Sequence, residues 1–291
     1  MRRILTATIA TAIILSGAST ALAQTDGQSA QQPATTNTPP AQEDDPDRDV
    51  NLAQPDFTLA TLPTTLRMPR CRSSFRVTHR FGRTLGQGDF GDLLGDLFGL
   101  DGGAIIGLEY RFGLFRGAQV GIHRTSANKT IQFMGQYGLV RQGERRPLGI
   151  DVLAAIEGLD NFQESYSPTL GVLLSREVRD RAALYIEPMW VNNSNPEPEE
   201  LVDDNSTFII GLGARVRLRP TVYVFVEGVP RVAGYDPGVT HASFGIEKRS
   251  GGHLFQLNFS NSLGTTFGQV ARGGFDNSDW HLGFSISRKF F

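Results

Sequence analysis

The stretch Trp280-His-Leu-Gly-Phe-Ser-Ile-Ser-Arg-Lys-Phe-Phe291 decides how the rest of the chain is read. Leu282, Phe284, Ile286 and Phe290 fall on one parity and Gly283, Ser285 and Ser287 on the other, which is the period of a β-strand. One apolar face backed by a small or polar face suits a wall between lipid and lumen. A final strand that stops on Phe is also how many bacterial outer-membrane barrels close. The expectation is an all-β chain forming a single transmembrane antiparallel up-and-down barrel.

The other end of the chain agrees. Arg2 and Arg3 precede an apolar run from Ile4 to Leu15, and small residues lead to Ala21-Leu22-Ala23. That pattern predicts a cleaved secretory signal over residues 1–23. No later stretch approaches the roughly 18 to 20 continuous apolar residues that a spanning helix needs, so any crossing of a membrane is made by strands.

Beyond the signal, composition separates a polar segment from the barrel. Gln24 to Asp56 carries seven acids against Arg48 alone, is rich in Gln, Thr and Pro, and has few large apolar residues. Such a segment buries too little to fold, and residues 24–65 are expected to form a disordered periplasmic tether, with the barrel over 66–291. Without residues 1–56 the chain holds 25 bases and 23 acids. That balance gives no electrostatic footprint for nucleic acid. The single Cys71 cannot form an internal disulfide and is expected to be a partly buried free thiol near the first strand.

From about Leu66 onward, alternation predicts twelve strands: Phe75 to Phe81, Ile105 to Phe112, Ala118 to Arg124, Thr130 to Val140, Leu148 to Glu157, Thr169 to Val178, Ala182 to Val191, Thr207 to Leu218, Thr221 to Gly228, His241 to Lys248, His253 to Ser260 and Trp280 to Phe290. Every second connection is tight, and most of those between are long, as in barrels with short periplasmic turns and longer outer loops. The tight turns carry arginines such as Arg116, Arg141 and Arg179. Asp92, Asp96, Asp160, Glu164 and the acids of Asn192 to Ser206 crowd the long loops.

The two strand faces differ in chemistry. Outward parity collects Ile106, Leu108, Tyr110, Phe133, Leu184, Ile186, Leu212 and Leu257, whereas Glu109, Arg111, Asp151, Glu187, Arg215, Arg217, Gln256 and Asn258 fall on the lumenal parity. Polar inside and apolar outside is the reverse of a soluble ligand-binding barrel. Most mid-strand glycines also face inward. They leave room for water, for long charged side chains or for an inserted segment, or they ease the coiling of the sheet. Phe90, Leu93, Leu94, Leu97 and Phe98 recur at helical spacing, which predicts a short helix in the first outer loop that either plugs the lumen or lies on the rim.

His79-Arg-Phe-Gly82, Phe98-Gly-Leu-Asp101, Leu108-Glu-Tyr110, Asn128-Lys-Thr130, Gly251-Gly-His-Leu-Phe-Gln-Leu257, Asn261-Ser262 and the closing Gly283-Phe284 with Ser287-Arg288 and Phe290 resemble an uncharacterised family of outer-membrane β-barrels, known only as domain of unknown function 5777. The resemblance spans roughly Leu66 to Phe291 and implies a barrel in the outer membrane of a gram-negative bacterium, with no reaction and no catalytic residues.

Three functional readings remain open: a narrow channel or structural barrel for small solutes or ions, a non-conducting binding or assembly module using its acidic loops and tether, and a phospholipase-like barrel. The last rests on His241-Ala-Ser243 with Asn258 on the next strand. Phe244 and Ile246 claim the outer face there, which turns the pair inward, so no enzyme is expected. The five histidines lie on separate strands without ligand spacing, so no metal or other cofactor is expected. Expected partners are outer-membrane lipid and lipopolysaccharide, the barrel-assembly machinery and small solutes.

Overall fold

A computed structural model describes residues 48–100, 102–195 and 205–291; the signal sequence, residues 24–47 of the tether and the acids of 196–204 lie outside them. The elements run β1 (Ser73–Phe81), α1 (Phe90–Gly95), β2 (Ala104–Phe115), β3 (Ala118–Thr125), β4 (Ile131–Val140), β5 (Gly149–Gly158), α2 (Leu159–Phe162), β6 (Glu164–Val178), β7 (Ala182–Asn192), β8 (Ser206–Arg219), β9 (Val222–Val229), β10 (Arg231–Ala233), β11 (His241–Ser250), β12 (His253–Ser260), α3 (Phe267–Arg272) and β13 (His281–Lys289).

Each strand pairs antiparallel with its neighbours, and β1 pairs with β13, so the sheet closes into a twelve-stranded barrel. All twelve predicted strands are present. The three-residue β10 is additional: it resumes pairing with β8 after Pro230, whose missing N–H interrupts the ladder. Closure matters because an open edge would leave unpaired peptide groups in hydrocarbon, at several kcal/mol each.

The outward residues form an apolar belt. Leu108, Phe133, Leu184, Ile186, Leu212, Ile246 and Leu257 are all exposed on the outer surface. Ser285 is buried toward the lumen, and its neighbour Phe284 stacks outward against His79 on the adjoining strand. The β1–β13 seam therefore has the face assignment read from the final twelve residues.

The lumen is a packed core. Residues 51–68, most of which were expected in the disordered tether, run inside the barrel, and Phe57, Leu59, Leu62, Thr64 and Met68 are buried there. They form a hairpin: Thr58 bridges Pro63, Thr64 N–H donates to Phe57 O at 2.8 Å, and Leu59 N–H donates to Leu62 O at 2.8 Å across the tip. Leu59 and Leu62 pack with Leu153, Leu173, Tyr185, Met189, Ile209 and Phe225 on the wall from β5 to β9. This apolar burial overrides the polar composition upstream. The tether is thus corrected at its C-terminal end.

Cys71 is also corrected. It is exposed, in a turn with φ of 56° between the hairpin and β1, with its N–H donating to Gly113 O.

The belt gives the first prediction. Phe284→Asp places a carboxylate against hydrocarbon, where Arg or Lys at mid-depth costs about 2–4 kcal/mol and Asp somewhat less. Ser285→Asp points into the lumen. Assembly, read as heat-modifiable migration in detergent gels, is expected to fall sharply for the first variant and stay near the parent level for the second; equal yields would reverse the assigned face.

Candidate functional site: an occupied lumen

The hairpin is held chiefly through its main chain. At its tip the Glu227 carboxylate, on β9, accepts from the N–H groups of Ala60 at 3.1 Å, Thr61 at 3.0 Å and Leu62 at 3.2 Å, and from the Thr61 hydroxyl at 2.5 Å. His241 Nε2 lies 3.2 Å from the same carboxylate and 3.1 Å from Thr61 Oγ1. Both wall residues are fully buried. A tight turn exposes consecutive N–H groups that cannot pair with one another, and one carboxylate satisfies three of them.

Carbonyl oxygens are met from the other walls. Arg76 Nη2 on β1 donates to Leu59 O at 2.8 Å and Ala60 O at 3.2 Å. Arg215 on β8 donates to Thr58 O at 2.8 Å and forms a two-pronged pair with Glu247, at 2.8 and 2.9 Å. Gln256 donates to Leu59 O at 3.1 Å, and Gln136 to Thr64 O at 2.8 Å. Near the base, Phe57 lies between two cations, with Lys289 Nζ 5.2 Å and Arg111 Cζ 5.9 Å from its ring centre.

Two lumenal glycines make the space for this insertion. A Cβ at Gly213 would sit 2.5 Å from Leu59 Cδ1, and one at Gly211 would sit 2.7 Å from Leu62 Cδ2. Of the alternatives for inward glycines, room for an inserted segment is the one these two positions fit.

The hairpin enters at the tight-turn end, where Asn51 and Gln54 donate to Glu177. A second insertion closes the long-loop end. α3 folds inward from the β12–β13 loop with Phe267, Val270 and Ala271 buried. Gln132 accepts from Phe267 N–H at 2.9 Å, Glu157 accepts from Gly268 N–H at 2.9 Å, and Arg80 holds Ser262 O and Gly264 O at 2.7 Å.

Most of the lumenal residues named from sequence are in place. Arg111, Asp151, Glu187, Arg215, Gln256 and Asn258 are buried in the interior, and Glu109 pairs with Arg111 at 2.5 Å. Arg217 is corrected: it lies at the tight-turn rim, paired with the exposed Asp180 at 3.3 Å, because β8 is ending there with a register shift. The helix of the first outer loop forms as expected, but it is not a plug. Phe90, Leu94, Leu97 and Phe98 are exposed, α1 buries none of its residues, and positive φ at Leu97 and Phe98 breaks the helix before it is long enough to reach inward.

The inward His241 and Ser243 are 3.2 Å apart, but both are buried beneath the hairpin rather than turned to lipid. Arg76, Arg80 and Glu227 were missed as site residues. Their signal was parity: Arg76 and Arg80 alternate with the outward Phe75, Val77 and His79, and Glu227 with the outward Val226.

These features define a class, a closed membrane-spanning β-barrel with its lumen filled by its own chain. The particular group is given by the sequence match: residues 57–290 match the family described as a membrane-bound β-barrel domain, and the chain belongs to that family. The match begins inside the hairpin, not at the first wall strand. No curated protein sequence matches this chain. Among solved structures, the NanC porin superposes with a TM-score of 0.50 at 9% identity, over 75% of this chain and 99% of the porin. The Acinetobacter baumannii outer membrane protein Omp33 gives 0.42 at 6% identity, over 76% and 98% respectively. At these identities the first likeness concerns the barrel fold alone.

Glycine 213 supplies the second prediction. Gly213→Val should expel Leu59 and loosen the hairpin while leaving the outer belt intact. Trypsin is expected to cut the variant faster than the parent at Arg67 and Arg70, with unchanged heat-modifiable migration; equal cutting rates would show that Leu59 is not held at that glycine.

Proposed function

We propose that the protein is an outer-membrane barrel that forms a passage for small solutes and is held shut by its own chain, by the N-terminal hairpin at the tight-turn end and by α3 at the other. The observation that carries this reading is where the wall's polar groups are directed. Glu227, Arg76, Arg215, Gln136 and Gln256 bond to a segment joined to the wall at one end only, not solely to one another across the lumen. A barrel closed for rigidity alone could pair its wall charges directly or replace them with apolar residues at less desolvation cost. Once the hairpin leaves, the sector from β12 through β2 presents Gln256, Asn258, Ser285, Arg76 and Arg111 to the lumen, which gives a water-filled path one polar side.

The family and the apolar outer belt support the outer membrane as location, with the tight turns facing the periplasm. The hairpin then enters from the periplasmic side and continues into the polar tether over residues 24–47. On this reading the barrel is a conduit and not an enzyme, its belt contacts outer-membrane lipid and lipopolysaccharide, and the barrel-assembly machinery inserts it.

Deleting residues 51–65 together with residues 266–273, which carry α3, is the direct test. In planar bilayers the intact chain is expected to be closed or nearly so, and the deletion to give stable current steps. In the barrel without α3, replacing Glu227 with Ala should give intermittent opening, since it leaves three N–H groups unpaired at roughly 1–3 kcal/mol each. A folded deletion variant that stays silent would contradict the passage and favour a closed binding or assembly barrel.

A further inference from the structure

The wall holds the hairpin in two ways: Leu59, Leu62, Phe57 and the Thr61 hydroxyl are held by their side chains, while most of the wall's hydrogen bonds go to main-chain groups. Glu227 takes three successive N–H groups, and Arg76, Arg215, Gln136 and Gln256 take carbonyl oxygens. Any polypeptide of similar course offers the same donors and acceptors, since every residue except proline carries one of each. Sugars offer hydroxyls at other spacings.

A second observation points the same way. Some buried wall groups are not used by the hairpin. Both carboxylate oxygens of Glu187, on β7, lack a hydrogen-bond partner among the described residues, and so do Arg76 Nε and Arg80 Nη2 on β1. In a ring of twelve strands β1 and β7 stand six apart, on opposite sides of the lumen. Unused acceptors on one side and unused donors on the other suit a molecule with an ammonium at one end and a carboxylate at the other. Leaving a buried carboxylate unpaired costs stability, and a ligand's ammonium would remove that cost. Glu187 does not serve the hairpin's main chain, so its position is unexplained by closure alone.

We propose that the lumen is a binding site for short peptides with free termini, and that the hairpin is the occupant the chain supplies for itself. The proposal rests on the hairpin being displaceable, as in the passage reading, and its test is binding, which does not depend on current.

The experiment uses the full chain with a protease site inserted between the exposed Arg70 and Cys71, so that the barrel folds intact and the hairpin is cut and washed out afterwards in detergent. The cut barrel is then titrated calorimetrically with tetra-alanine, maltotetraose and a peptide of residues 56–66. Both peptides are expected to bind and the sugar not to. Glu187→Gln should weaken tetra-alanine by about tenfold, the equivalent of about 1.4 kcal/mol, with little effect on N-acetylated tetra-alanine. Equal affinity for sugar and peptide, or no peptide binding, would overturn the proposal. Should the cut hairpin stay lodged, the uncut chain gives the answer: millimolar tetra-alanine should speed trypsin cutting at Arg67, and an unchanged rate overturns the proposal as well. Current through the cut barrel without peptide preference would leave the passage standing and refute the peptide site alone.

Discussion

The occupied lumen depends on one buried carboxylate. Glu227 faces three consecutive N–H groups at the hairpin tip, deep in the barrel, where no solvent competes. Without it the tip would bring unpaired peptide groups into the interior, and without the tip Glu227 and His241 would keep each other and the Ser243 hydroxyl as partners among the described residues. Hairpin and wall satisfy each other's polar groups. The leucines at the tip then fill the space left by Gly211 and Gly213, so packing and hydrogen bonding select the same depth of insertion.

The wall divides the work by sector. From β5 to β9 it is largely apolar inside, with Leu153, Leu173, Met189, Ile209 and Phe225 receiving the hairpin's leucines. From β12 through β2 it is polar, with Gln256, Asn258, Ser285, Arg76 and Arg111 buried toward the lumen. Such asymmetry fixes the orientation of an inserted segment, because its apolar edge has only one place to go. α3 repeats the principle at the other end, burying Val270 and Ala271 while wall side chains take its first N–H groups.

The barrel itself was legible because its signal repeats. Twelve strands with period-two alternation and alternating loop lengths over-determine one another, and residues such as Phe284 and Leu257 need only the choice between lipid and lumen. The hairpin was not legible by the same route. Phe57 to Met68 is a single short segment adjoining a polar tract, and composition assigned most of it to that tract. A signal was nonetheless present on the wall: Leu153, Leu173 and Ile209 are apolar on the lumenal parity of strands that are also apolar outside, and a face that is apolar toward an interior must be covered by something. The helical spacing of Phe90 to Leu100 left a plug and a rim helix both open. The segment's glycines and the positive φ at Phe98 keep it on the rim.

Amide hydrogen exchange on the protein in native membrane vesicles tests the central claim most directly. If Glu227 holds the tip, the N–H groups of Ala60, Thr61 and Leu62 should be protected to the same degree as ladder amides of β9. Exchange at the rate of an unstructured peptide would mean that the hairpin does not occupy the lumen in the membrane, and the account of a barrel closed by its own chain would be contradicted.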